Sequence, residues 1–166
     1  MNPFAATEQR IDVTRRKHPA FPRAPAVVVR LIKRLHKHVQ DDANALLKPF
    51  GINHPEYNLL MMLYGSADNA VTPSELAEAA GEKFANITRL TDRLCDKGLL
   101  ARSGNAEDRR KVTLSLTARG DALIGRMLPG ISRLLDRETA ALSARELEHL
   151  ERLLKKMLSG FSSYAG

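Results

Sequence analysis

Cysteine is nearly absent from this chain, because Cys95 is the only one among 166 residues. A single thiol cannot form an internal disulfide, and such sparing use of cysteine fits a reducing compartment. Long apolar runs are also missing: none approaches the ~18 residues of a membrane-spanning helix, and the first residues lack the apolar stretch typical of a signal peptide. The sequence therefore predicts a cytoplasmic protein that does not use a membrane.

The chain also has no pattern typical of an enzyme active site. Glycine-rich phosphate loops, paired carboxylates and metal-ligand spacings are all missing. His36 and His38 are two residues apart, so on a helix they point to different sides and do not suit a shared metal. We expect no enzymatic activity, no metal and no cofactor. The histidines are scattered along the chain: His18, His36, His38, His54 and His149.

Positive charge and apolar content are what the chain does have. Lysine and arginine number 26 against 19 acidic residues, a formal charge of +7, and hydrophobic residues make up 43%. This indicates one folded domain with or without extensions, and favours a polyanion partner, either nucleic acid or an anionic membrane surface. Many soluble proteins are basic, so charge alone does not decide. Residues 83–111 hold eight basic and four acidic side chains, which favours nucleic acid.

Two short helices with a tight break between them are predicted in the middle of the chain, a helix-turn-helix arrangement. The first begins at Thr72, which can cap it while Glu75 returns a hydrogen bond to the capping residue, and it ends at Gly81. The second spans about residues 84–97. Its apolar positions recur at helical spacing: Ile87, Leu90 and Leu94.

A β-hairpin is predicted directly after these helices. Residues 99–102 and 112–116 read as strands around a tip that is first Gly/Asn-rich and then Arg-rich, and Val71–Thr72 can add a short strand beside them. Helix, helix and hairpin predict a winged helix-turn-helix, mainly α with a small β-hairpin wing. The second helix suits a major groove, and the Arg-rich tip suits an adjacent minor groove.

Five runs of the sequence carry a resemblance to a known family: residues 21–22, 51–53, 87–98, 108–110 and 116–120. In this order they resemble the MarR family of bacterial regulators, and the context resembles the EmrR-type multidrug-efflux repressors within it. The resemblance covers about residues 7–160 and implies a homodimer, with interdigitated first and last helices, on a pseudo-palindromic double-stranded DNA operator. Repression is the family's usual mode.

The resemblance also implies DNA-binding residues, to which side-chain chemistry suggests roles. Asn86 suits adenine and Arg89 suits guanine. Arg93 lies over two turns from the helix start and suits a phosphate. Lys83 stands where the family usually has Ser or Thr, and a lysine cannot accept a backbone N–H, so we expect no side-chain cap there. The full predicted set is Thr72, Ser74, Lys83, Asn86, Thr88, Arg89, Arg93, Arg109, Arg110 and Lys111, with Asp108 tying the wing to Arg102 or Arg110.

Amphipathic helices are predicted on both sides of the winged lobe. We predict one domain over residues 26–166, with a lobe at about 53–117, and dimerisation helices at about 26–48 and 117–163. Pro129-Gly130 should bend or split the helix that Thr117 caps, and Ser143 with Glu146 should open the last one. The leftover apolar stripes should be buried against a second copy. Residues 1–25 are predicted to be a basic, irregular arm, in which residues 7–17 can form a short helix.

A helix capped by Asn53 should open the lobe, with Tyr57, Leu60, Met61 and Tyr64 as its buried face. The EmrR-type resemblance implies small hydrophobic or phenolic weak acids as inducers, and efflux or aromatic-compound genes as targets. Two alternatives remain open: a redox- or metal-responsive regulator that uses Cys95, and a winged-helix module that binds protein and not DNA. The implied inducer-binding residues are Arg34, Phe50, Tyr57 and Met61.

Overall fold

Seven α-helices and a three-stranded sheet make up the residues that the computed structural model describes, which are 3–66, 70–104 and 112–162. The fold is mainly helical with a small wing, as predicted. The helices are α1 (Ala5–Lys17), α2 (Arg23–Leu47), α3 (His54–Tyr64), α4 (Pro73–Ala80), α5 (Phe84–Asp96), α6 (Ala118–Thr139) and α7 (Ala144–Ser162), and a 3₁₀ turn, Lys48–Phe50, extends α2. The strands are β1 (Ala70–Val71), β2 (Leu100–Gly104) and β3 (Val112–Leu116).

Local capping signals place the helix starts of the lobe. Asn53 and Thr72 each accept the backbone N–H of the third helical residue, and the glutamate at that position accepts the N–H of the capping residue. Ser143 and Glu146 make the same reciprocal pair at the start of α7. All three capping boxes were predicted, because each depends on residues only three apart in the sequence.

The buried face of α3 differs from the prediction. Tyr57 and Met61 are only partly buried, and Tyr64 is 39% exposed. Almost every position of this short helix is apolar, so the sequence fits more than one helical face, and packing against α5 and the sheet selects between them. The side chains that are buried in α3 are Glu56, Leu59, Leu60 and Leu63.

The sheet is antiparallel with β3 between β1 and β2. Val71 pairs with Leu114, and Leu100 pairs with Leu116. An extra strand is therefore present beside β3, but it spans Ala70–Val71 and not the predicted Val71–Thr72, because Thr72 caps α4. It forms two residue pairs with β3. Leu114 is fully buried, so the base of the wing belongs to the lobe core.

The N-terminal arm contains the short helix allowed at residues 7–17, which begins two residues earlier, at Ala5, and packs against α2. Phe4 and Ile11 are buried, and Arg23 pairs with Asp12. Hydrogen bonding from Arg23 holds the pKa of the Asp12 carboxyl below its usual value. α2 begins at Arg23, before the predicted boundary at residue 26, because a proline in the first helical turn, Pro25, gives up no helical hydrogen bond.

α6 runs without a break through Pro129, so the predicted split does not occur. The carbonyl that the proline ring leaves without its helical partner belongs to Gly125, which is exposed and can bond to water. α7 follows, and none of its side chains between residues 144 and 161 is buried. Within the described residues, no helix combines the length and the apolar character that crossing a bilayer requires.

Candidate DNA-binding surface

The first helix of the motif, α4, begins with its capping residue fully engaged. The Thr72 backbone N–H donates to Glu75 Oε2 at 2.7 Å, and the Thr72 hydroxyl donates to the same oxygen at 2.8 Å. These bonds hold the pKa of the Glu75 carboxyl below its usual value. Ser74 is exposed one residue inside the helix. Of the two residues of this helix start that were predicted to bind DNA, Ser74 is therefore the more available, and Thr72 defines the helix start.

A left-handed glycine sets the angle between the two helices of the motif. Gly81 has a φ of 62°, a left-handed backbone conformation that costs free energy for residues other than glycine. The Gly81 N–H donates to the backbone carbonyl of Glu78 at 3.1 Å, and the N–H of Glu82 donates to the backbone carbonyl of Ala77 at 3.0 Å. These two bonds close the end of α4 as a Schellman turn. The chain then enters α5 after only two further residues, which gives the tight break that the sequence predicted.

The start of α5, the reading helix, has no side-chain cap, as the lysine at this position predicted. A chain of side-chain hydrogen bonds lies there instead. Glu82 Oε2 accepts from Asn86 Nδ2 at 2.9 Å, and Asn86 Oδ1 accepts from Arg89 Nη2 at 2.8 Å. Lys83 and Arg89 are exposed, and Asn86 is half-buried. The two residues predicted to read bases are therefore held side by side, with the amide oriented by Glu82.

Thr88 is half-buried on the reading helix, and its hydroxyl donates to the Phe84 carbonyl at 3.0 Å. That bond satisfies the only proton of the hydroxyl within the helix. A threonine can contact a thymine methyl group or donate a hydrogen bond to a phosphate, and the apolar contact therefore suits this geometry better.

Phe84, the first residue of the reading helix, is a candidate contact that the sequence reasoning missed. Its side chain is 55% exposed. An exposed aromatic ring at the end of the helix that enters the groove can pack against thymine methyl groups. Phe84 lies three residues before Ile87, so helical periodicity alone assigns it to the core and gives no signal of its exposure.

Arg93 lies near the other end of the reading helix and is exposed. It lines a cleft of about 640 Å³ together with Asn44, Lys48, Asn53 and Lys97. Glu56 also lines this cleft and pairs with Lys97, so among the described residues Arg93 and Lys48 are its unmatched cations. Cations in an open cleft suit a phosphate oxygen better than a base edge, which is the role predicted for Arg93.

The wing is attached to the reading helix through Arg102 of β2. Its guanidinium pairs with Asp92 at 2.6 Å and donates to the hydroxyl of Thr91 at 2.9 Å. Thr91 is completely buried. The prediction that Asp108 ties the wing to Arg102 or Arg110 lies outside the described residues, as do the predicted contacts Arg109, Arg110 and Lys111.

The alternative of a cysteine sensor gains no support from the surroundings of Cys95. The side chain is half-buried, and burial raises the pKa of its thiol, opposed by the charge of Arg102. A raised pKa leaves less of the nucleophilic thiolate at neutral pH. Across the described part of the chain, no three histidine, cysteine or carboxylate side chains are grouped to hold a metal ion.

The residues predicted to bind an inducer lie in two environments. Phe50, Tyr57 and Met61 are partly buried against the lobe core, and burial raises the pKa of the Tyr57 phenol. Arg34 is exposed on α2. Together with Arg30, Lys33 and Lys37 of the same helix, and with Phe4 before α1, it lines a cavity of about 440 Å³.

Comparison with known proteins gives consistent matches. The MarR family model matches residues 52–112. The chain is 31% identical to the transcriptional repressor MprA of Escherichia coli K12, over 94% of this chain and 89% of MprA. It is 32% identical to the multiple antibiotic resistance protein MarR of the same organism, over 78% of this chain and 89% of that protein.

A solved structure of a cysteine-to-serine mutant of E. coli MarR in complex with operator DNA superimposes with a TM-score of 0.73 at 31% identity, covering 79% of this chain and 93% of that one. The matched proteins regulate transcription and are not enzymes, in agreement with the absence of enzyme motifs from the sequence. The chain belongs to the MarR family of DNA-binding transcriptional regulators.

Proposed function

We propose that this protein is a homodimeric, cytoplasmic repressor that binds a pseudo-palindromic operator and is released by small hydrophobic or phenolic weak acids. Its targets would be genes for efflux or for aromatic compounds. Relatives carry the names of a transcriptional repressor and of a multiple antibiotic resistance protein, and these names support repression and the target class.

The dimer is supported above all by the uncovered apolar face of α7. α7 shares an apolar cleft with Val29 and Ile32 of α2, but most of its large apolar side chains stay exposed, and a helix is stabilised mainly by burial of its apolar face, so this face needs a partner. α2 also exposes apolar side chains, including Leu35 at 58%. The large apolar side chains exposed on α7 are Leu147, Leu150, Leu153, Leu154, Leu158 and Phe161.

Operator recognition is supported by the exposed polar surface of α5. Arg89 and Asn86 lie within its first two turns, where a recognition helix contacts base edges. In a two-fold dimer, two such helices can meet major grooves about one DNA turn apart, which requires a pseudo-palindromic site.

Inducer binding is supported by an aromatic surface near the junction of the lobe and α2. His54 stacks on Tyr57 with ring centroids 6.3 Å apart. Burial, with a contribution from the charge of His36, lowers the pKa of His54, so its ring is neutral at neutral pH. Neutral aromatic groups suit the apolar ring of such a ligand. The cation of Arg34, which suits a carboxylate or phenolate, lies in the separate cavity beside Phe4. A ligand releases DNA only if it binds one lobe spacing better than another.

The test of the regulator is footprinting on the promoter region upstream of its own gene, across a salt series, with and without salicylate. We expect a protected pseudo-palindrome, strong salt dependence and weaker protection with salicylate. Arg89→Glu should abolish protection. Protection that salicylate leaves unchanged would refute the proposed inducer class, and equal binding to random duplex would refute an operator in that region.

The dimer is tested with two variants of α7 that each add one carboxylate. Leu154→Glu places it on the apolar face, and Ser159→Glu places it on an exposed polar position. Light scattering after size exclusion should report a monomer for the first variant and a dimer for the second. A dimeric Leu154→Glu protein would place the interface elsewhere.

A further inference from the structure

The end of the reading helix, α5, meets the end of α2 and the start of α3, and polar contacts join these three segments. Asn44, near the end of α2, accepts the backbone N–H of His54 at 2.8 Å. At the start of α3, Asn53 and Glu56 cap each other. Lys97, the residue that ends α5, reaches the same place. We name this contact between α2, α3 and α5 the polar joint.

The centre of the polar joint is the Lys97–Glu56 ion pair. Both Glu56 carboxylate oxygens lie 2.8 Å from Lys97 Nζ, and the Glu56 side chain is only 2% exposed. The same ammonium donates to the Gly51 carbonyl at 2.9 Å. An ammonium has three N–H donors, and three acceptor oxygens surround this one.

Apolar packing alone does not fix the rotation and the axial position of the reading helix. Ile87, Leu90 and Leu94 bury the inner face of α5, but apolar contacts are non-directional and leave a helix some freedom to roll or slide. Base recognition depends on hydrogen bonds, which are directional and weaken steeply with misalignment. Arg102 supplies directional bonds to Thr91 and Asp92 in the middle of α5, and the polar joint supplies them at its end, from two other segments of the chain.

We propose that Lys97 and Glu56 are positioning residues for DNA binding, which hold the end of the reading helix at a set orientation to α2. Neither residue needs to contact DNA in this role. The inference uses the DNA binding of the family and, for the spacing of two reading helices across an operator, the dimer proposed above. α2 also carries apolar surface for that dimer. The polar joint therefore fixes the orientation of the reading helix relative to the dimer interface.

The competing role for Lys97 is a direct phosphate contact, since its side chain is 36% exposed and it shares a cleft with Lys48 and Arg93. The two roles predict different losses. A phosphate contact contributes equally to every DNA sequence and adds about 0.9 to the slope of log affinity against log salt. A positioning residue contributes only to the complex whose geometry is specific.

The experiment measures the affinity of full-length Lys97→Met for the footprinted operator and for random duplex by fluorescence anisotropy across a salt series. Arg93→Met is the matched control, because it removes an exposed cation one turn earlier in the same helix. We expect Lys97→Met to lose about tenfold in operator affinity, within the range typical of coupling between sites, with random-duplex affinity and salt slope unchanged. Arg93→Met should weaken both complexes and reduce the slope.

The double variant Lys97→Met/Glu56→Gln tests whether the loss at Lys97 acts through Glu56 or through a lost phosphate contact, and the unchanged affinity for random duplex reports that Lys97→Met is folded. Lys97→Met alone would leave the buried Glu56 charge unpaired, whereas a glutamine in place of Glu56 is neutral and can still accept the Asn53 N–H. We therefore expect the double variant to bind the operator more tightly than Lys97→Met does. Equal losses on both duplexes with a lower salt slope, or no recovery in the double variant, would overturn the proposal. The affinities of the wild-type protein for the operator and for random duplex, measured in the same experiment, test the proposed operator separately.

Discussion

Gly120 provides the most direct test of the packing between α6 and the lobe. It is the third residue of α6, and its N–H donates to the Thr117 hydroxyl at 3.0 Å. That hydroxyl donates in turn to the Gly98 carbonyl at 2.8 Å. The first turn of α6 is therefore pressed against the turn that links α5 to β2. A Cβ atom at residue 120 would lie 2.3 Å from the Leu99 carbonyl oxygen and 3.1 Å from Leu116 Cδ2.

The magnitude follows from comparison with a second glycine of the same helix. A Cβ at Gly125 meets no atom within 4 Å, so Gly125→Ala should stabilise the protein by about 0.5–1 kcal/mol through helix propensity. At Gly120 the backbone must move by roughly 0.7 Å to bring the 2.3 Å contact to 3.0 Å. Overpacking of this kind costs about 1–3 kcal/mol. The two alanine variants should thus differ by roughly 1.5–4 kcal/mol.

Urea unfolding followed by far-ultraviolet circular dichroism measures this difference, with all three proteins at one protomer concentration because a dimer's stability depends on it. We expect the midpoint to fall for Gly120→Ala and to rise slightly for Gly125→Ala. If Gly120→Ala is as stable as Gly125→Ala, the close approach of α6 to the Leu99 carbonyl is wrong.

Three further outcomes are expected. Iodoacetamide should react with Cys95 more slowly than with a free thiol at pH 8, because burial raises the thiol pKa, and Cys95→Ser should keep DNA binding; rapid labelling or lost binding would contradict this. The pKa of Glu75 is lowered on folding by hydrogen bonds from Thr72, so its stabilisation is present above the unfolded pKa and is lost as pH falls through the folded one. Glu75→Gln should therefore flatten the dependence of the melting temperature on pH below about 4.5, and an unchanged pH profile would contradict it. Arg102→Met should weaken operator binding more than Asp92→Asn does, because Arg102 also bonds to the helix interior; equal effects would reduce its role to the surface ion pair.

Local chemistry explains what the sequence could predict. The caps at Asn53, Thr72 and Ser143 each involve residues three apart, so a linear pattern contains the whole interaction. The same holds for the turn at Gly81 and for the amphipathic pattern of α5. The order of helix, helix and hairpin then follows from the order of these signals.

Contacts between distant residues explain what the sequence could not predict. Lys97 and Glu56 are 41 positions apart, and no periodicity links them. The sequence suggested Arg102 as a partner of Asp108, but Arg102 pairs with Asp92 of the reading helix because β2 returns along α5. Pro25 and Pro129 suggested breaks, but one lies in a first helical turn and the other frees an exposed carbonyl, and neither environment can be read from the residue itself.

The exposed apolar face of α7 would make the stability of the protein depend on its own concentration. In the proposed dimer, this helix becomes stable only when two chains meet, so its formation is second order in chain number. A cell with few copies would hold chains whose last helix is frayed and open to proteases, while doubling the gene dose would more than double the assembled form. Degradation of unassembled chains would then set a lower threshold of expression, below which target genes escape control entirely.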